Sequence, residues 1–156
     1  MFLTFIGDVH GKYKEYLNKI TEKEYSIQLG DFGFDYSCLK HVDTTKHKIL
    51  LGNHDNYDNI PKHSLGDFGV YELLGLKIFY IRGAYSIDKK YRIVGRSWWE
   101  NEELNYTQCN DCIQLYKNTK PDMVISHDAP YYCLLNGFFG IEDIPKPKKG
   151  LWKYGI

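Results

Sequence analysis

Apolar residues recur along the first half of the chain in short runs, each closed by a glycine or a polar cluster. Phe2-Leu3-Thr4-Phe5-Ile6 stops at Gly7-Asp8-Val9-His10, Tyr25-Ser26-Ile27-Gln28-Leu29 stops at Gly30-Asp31, and Lys48-Ile49-Leu50-Leu51 stops at Gly52-Asn53-His54-Asp55. Their length and their β-branched and aromatic content predict short buried strands. Between the first two, residues 12–20 set Tyr13, Tyr16, Leu17 and Ile20 on one face at helical spacing. Strand, helix, strand predicts a parallel pair joined by a crossover.

From residue 70 to 94 the pattern changes. Runs at 70–74, 76–81 and 91–94, separated by Gly75, Gly83 and an Asp88-Lys89-Lys90 turn, predict an antiparallel meander. Residues 103–118 predict an amphipathic helix whose apolar side carries Leu104, Cys112, Ile113, Leu115 and Tyr116. Pro121 ends it, and residues 122–126 predict another buried strand, closed by His127-Asp128. The stretch 142–156 holds Pro145, Pro147, Lys146, Lys148, Lys149 and two glycines, and reads as a loop-like tail. The expectation is one α/β domain over 1–141 followed by that tail.

Composition narrows the function. A chain of 156 residues holds one domain with a real core. Twenty basic and twenty acidic residues cancel, which argues against a globally basic nucleic-acid binder and leaves only a local patch open. No apolar stretch is long enough to span a bilayer, and the run at 2–6 has no basic residue before it, so it reads as a strand and not a leader. Four cysteines (Cys38, Cys109, Cys112, Cys133) are too few for a secreted disulfide scaffold, and a reducing cytoplasm is the expected setting. Cys109-Asn110-Asp111-Cys112 has no second CxxC, so two thiols one helical turn apart are expected rather than a metal clip or redox pair.

The chemistry lies at the strand ends. Asp8 and His10, Asp31, Asn53-His54-Asp55, and His127-Asp128 each close a predicted strand. In open α/β sheets, sites collect outside the carboxyl ends of the strands. Four segments delivering carboxylate, imidazole and amide groups to one edge would make a metal site of mixed oxygen and nitrogen ligands, suited to manganese, iron or zinc. Asp8 and His10 are two apart, so in an extended segment both point to one side. Gly7, Gly30 and Gly52 let the backbone turn where ligands must converge.

Taken in order, Asp8-x-His10, Gly30-Asp31, Gly52-Asn53-His54-Asp55 and Ser126-His127-Asp128-Ala129-Pro130 resemble the motifs of the calcineurin-like metallophosphoesterase superfamily. The stretches 82–88 and Ser97-Trp98-Trp99-Glu100 resemble its small bacterial and phage members. The resemblance implies two packed mixed β-sheets flanked by helices, with the family's last strands missing. It implies two divalent ions, manganese foremost: Asp8 and His10 on the first, Asn53 and His127 on the second, Asp31 bridging both. A hydroxide shared by the ions would attack phosphorus in line in a phosphomonoester or phosphodiester. His54 would face the leaving oxygen, as general acid or as a donor to the phosphate, with Asp55 orienting its imidazole.

Two departures stand out. Residues 32–36 read Phe-Gly-Phe-Asp-Tyr, without the arginine that phosphoprotein phosphatases place after Gly-Asp. No histidine follows His127, so the family's closing Gly-His-x-His segment is missing and each ion would have three protein ligands. Asp128 and His63 are the residues that could make up the deficit. A weakly active or non-catalytic module of the same fold therefore remains an alternative, as does a nuclease using Lys146, Lys148, Lys149 and Lys153.

Overall fold

The computed structural model describes residues 2–129, so the expected tail at 142–156 and the domain end at 130–141 lie outside the described residues. Strands β1 (Leu3–Ile6), β2 (Tyr25–Leu29) and β3 (His47–Leu50) form a sheet in the order β1-β2-β3, with both pairs parallel. Helix α1 (Tyr13–Ile20) crosses from β1 to β2 as expected. A second sheet has the order β4-β5-β6, from Phe68–Leu73, Leu76–Ile81 and Met123–Ser126. Helix α2 (Tyr106–Thr119) precedes β6, which lies parallel to β5. The molecule is thus α/β, with two small sheets and two α-helices among the described residues.

Strand register explains the layers. Ile6, Gln28 and Ile49 are paired neighbours in one row, on one face of the first sheet. Ile6 and Ile49 join Tyr16, Ile20, Phe32, Tyr36 and Leu39 in a cluster beneath α1. The preceding residue on β2, Ile27, faces the other way and packs with Ile78 and Ile125, so the two sheets share one apolar layer. On β5, Phe79 follows Ile78 and turns outward, its ring edge-on to Tyr116 of α2 at 5.3 Å.

Several expectations are corrected. The first sheet is parallel and not mixed among the described residues. Strands β1 and β6 lie at sheet edges, so Phe5 and Val124 are exposed rather than buried. Residues 91–94 are no strand: Lys89–Tyr91 is a 3₁₀ turn, and Val94 makes a single bridge to Trp98. The place beside β5 goes instead to β6, from far along the chain. The β4–β5 hairpin closes on Leu74 and Gly75, both at positive φ, which is the two-residue turn whose twist suits antiparallel strands. Helix α2 starts three residues later than expected because Asn105 caps it, its side chain accepting from the Gln108 amide while Gln108 reaches back. Leu115 on that helix is exposed. Cys109 and Cys112 sit one turn apart on α2, and burial pushes both thiols up, Cys112 to about 11. No helix among the described residues is long and apolar enough to cross a membrane.

Candidate functional site

The carboxyl ends of β1, β2, β3 and β6 meet at one edge, and the side chains expected there come together. Asp31 is the hub. It is buried, and its backbone adopts φ +57 just after Gly30 at φ +100. One carboxylate oxygen, Oδ2, stands 3.5 Å from His10 Nε2, which is also 3.5 Å from Asp8 Oδ2. The other, Oδ1, is 3.2 Å from His127 Nε2 and accepts from the His54 amide at 2.8 Å. His127 Nε2 is in turn 3.2 Å from Asn53 Oδ1. Asp8 and His10 meet across a turn and not along an extended segment: His10 has φ +45 and its amide donates to Asp31 O at 2.9 Å. Left-handed backbone at two site residues other than glycine is a cost met by the surrounding hydrogen bonds.

Glycines make the convergence sterically possible. A Cβ on Gly30 would collide with the His127 ring, and one on Gly52 would collide with the Asp31 carboxylate and His127. Gln28, fully buried on the central strand, binds both sides of this turn. Its amide donates to Gly7 O at 3.3 Å and to Gly30 O, and its Oε1 accepts from Gly30 N at 3.2 Å.

Asp55 stands elsewhere than expected. Its carboxylate accepts from Asp31 N at 2.9 Å, Gly33 N at 3.0 Å, Gly52 N at 2.6 Å and Tyr36 OH at 3.2 Å. It does not orient the His54 imidazole; it pins the two loops that carry Asp31 and Asn53. Burial pushes its pKa up to about 6, against the pull of the Gly52 and Gly33 amides. The partner of His54 Nε2 is Arg92, whose guanidinium also donates to Asn53 O at 2.8 Å and pairs with Asp88 at 2.9 Å. His63, a candidate to complete the ligand set, is committed to Val42 O at 3.0 Å. Asp128 does line the cleft.

Electrostatics follow from this placement. His127 Nδ1 lies 2.8 Å from Leu29 O, which fixes Nδ1 as a donor and turns Nε2 toward two acceptors, Asp31 Oδ1 and Asn53 Oδ1. Burial disfavours the imidazolium, yet the bond and charge of Asp31 outweigh it and raise the His127 pKa to about 9. Burial likewise works against the Asp31 carboxylate, but His127 and the His54 amide hold its pKa below the ordinary value. His54 is depressed, by burial first and by Arg92 against the opposing pull of Asp31. The Asn53 amide is oriented by donation from Nδ2 to Ser86 Oγ at 3.0 Å, which leaves Oδ1 facing His127.

The donor set fits a divalent cation. Asp31 Oδ1 and Asn53 Oδ1 both lie 3.2 Å from His127 Nε2; once Nε2 gives up its proton all three present lone pairs to one point, and oxygen and imidazole ligands suit manganese, iron or zinc. His10, Asp31 and His54 also bring one ligand atom each to within 4.8 Å of one another. Ser86, Arg92 and Gln28 were not picked out from the sequence. For Gln28 the signal was a polar residue in the middle of a buried run; Ser86 and Arg92 sit in a loop with no period to mark them. No protein-family model and no curated protein matches the chain.

Proposed function

We propose that this chain is a metal-dependent hydrolase of phosphate esters, with the sandwich of a calcineurin-like metallophosphoesterase. The observation that carries the reading is the divided Asp31 carboxylate, one oxygen toward His10 and the other toward His127 and Asn53. Asp8, His10 and Asp31 would hold one ion, and Asp31, Asn53 and His127 the other. When bound, such ions supply Lewis acidity, activating water as a nucleophile and offsetting charge on the phosphate oxygens. The chain's own residues set the geometry. Leu29 O holds the His127 ring, Ser86 holds the Asn53 amide, and Asp55 fixes the turn that carries Asp31. With Nε2 accepting from Arg92, a neutral His54 keeps its ring proton on Nδ1 and serves the phosphate as a hydrogen-bond donor.

Metal analysis of the purified chain, followed by hydrolysis of bis-p-nitrophenyl phosphate with and without excess manganese, tests the reading. Turnover that depends on manganese and is abolished by EDTA is expected; none at any manganese concentration would sink it. The grouping of His10, Asp31 and His54 favours a second reading, a single-ion site without turnover. One ion per chain, insensitive to Asn53→Ala, would decide for it.

A further inference from the structure

The ligand cluster lines a cleft of about 430 Å³, and one stretch of its wall is different in kind: Ala84, Tyr85 and Ile87 line it. The intervening Ser86 is only 1% exposed and turns inward to hold Asn53, whereas Tyr85 is 38% and Ile87 89% exposed. Alternation along this segment thus sends one side chain to the metal ligand and its two neighbours to the cleft. A single exposed isoleucine is ordinary on a protein surface. One that lines the same cleft as a cluster of ligand side chains has an occupant to meet. The same loop carries Tyr91, Ile93 and Val94, which are 78%, 58% and 72% exposed.

Charge sets a second condition. No lysine or arginine lines this cleft among the described residues, whereas Asp88 and Asp128 both do. Arg92 is not free to grip an anion, since its side chain is 5% exposed and held by Asp88, Asn53 O and His54. The proposed ions would serve the reacting phosphoryl group; away from them, a second phosphate or a carboxylate on the substrate would find no free cationic side chain among the described residues lining the cleft, and Asp128 beside it. We infer that the cleft selects phosphate esters with one phosphoryl group and an uncharged, aromatic or aliphatic alcohol portion that lies on Tyr85 and Ile87. This rests on the hydrolase reading above and adds to it the substrate class.

The test compares 2-naphthyl phosphate with 4-carboxyphenyl phosphate in excess manganese, on the starting chain and on Ile87→Ser. It is paired with calorimetric binding of two non-hydrolysable probes, 2-naphthyl methylphosphonate and methylphosphonate. The leaving groups are the same for both proteins, so a change in the ratio of kcat/KM reports the wall alone. An apolar contact of this size is worth about tenfold in discrimination. The naphthyl ester should be preferred by at least that factor, and the preference should fall severalfold in Ile87→Ser. An unchanged ratio in the variant would overturn the inference. Were no ester hydrolysed, tighter binding of the naphthyl probe that Ile87→Ser removes would sink the hydrolase and keep the wall. Equal binding of the two probes, or of neither, would remove the wall.

Discussion

At the scale of single residues, Asp31 has no substitute. Among the described residues it is the one carboxylate with an oxygen on each side of the cluster, and its charge would offset both cations. Asp31→Asn keeps the shape and still accepts from the His54 amide, so the fold should survive. Manganese uptake, read by equilibrium dialysis, should fall by about 100-fold or more, since losses outside the direct ligand set already cost about 10–100-fold. Uptake equal to that of the starting chain would exclude a shared ligand. Ser86 acts one step away, by deciding which end of the Asn53 amide faces His127. Ser86→Ala should weaken manganese binding by about 10–100-fold, and Ser86→Thr, which keeps the hydroxyl, should restore most of it. A threonine variant as weak as alanine would mean that the hydroxyl's bond to Asn53 is not what sets manganese affinity. Asp31 and Asn53 were legible in the sequence because each closes a strand run with a ligand-type side chain. Ser86 and Arg92 were not, because their partners lie 33 and 38 residues away and no local spacing records such contacts.

At the scale of elements, periodicity identified what depends on one buried face and missed what depends on end chemistry or neighbours. Helix α1 and strands β2 to β5 follow their apolar spacing. Residues 91–94 have an equally strand-like composition, yet the Arg92 side chain is drawn to Asn53 O, Ser97 O and Asp88, so the segment stays a loop over the site. Burial at sheet edges was equally hidden: β1 and β6 read as buried runs, and only the strand order shows that each has one neighbour. The start of α2 was legible in principle, from Asn105 and Gln108 at capping-box spacing. That cap gives an internal control. Asn105→Ala should cost about 1 kcal/mol of stability in chemical denaturation. It should leave manganese binding untouched, because α2 packs on the far side of the second sheet from β1 to β3. A matching fall in metal affinity would show that the second sheet transmits strain to the His127 loop.

At the scale of the whole molecule, metal, proton and fold compete for one imidazole. In the metal-free chain the His127 pKa is raised to about 9 from its ordinary 6.5, so protonated His127 stabilises the fold fully below about pH 6.5, and that contribution is lost as pH rises toward 9. The neighbouring groups act elsewhere on the scale. The depressed Asp31 loses its contribution only in acid, the Asp55 ionisation is half complete at about 6 and nearly over by about pH 7, and the depressed His47 and His54 matter below 6.5. The raised cysteine thiols add a loss of the same sign only where unfolded thiols ionise, above about pH 8.5. Between pH 7 and about 8.5 the metal-free chain should therefore lose up to about 2 kcal/mol, at roughly 1.4 kcal/mol per unit for one proton. A divalent ion must displace that proton, so manganese affinity should rise about tenfold per pH unit over the same window, and saturating manganese should flatten or reverse the slope in stability. If each of the two proposed ions has only three protein ligands, occupancy at neutral pH should need manganese in excess. Thermal melts in EDTA and in manganese across this window, with calorimetric titrations at three pH values, measure both slopes. A melting temperature independent of pH in EDTA would show that Nε2 carries no extra proton. Tight, pH-independent binding of two ions would show that another group completes the ligand set, and Asp128, which already lines the cleft, is the side chain to replace first.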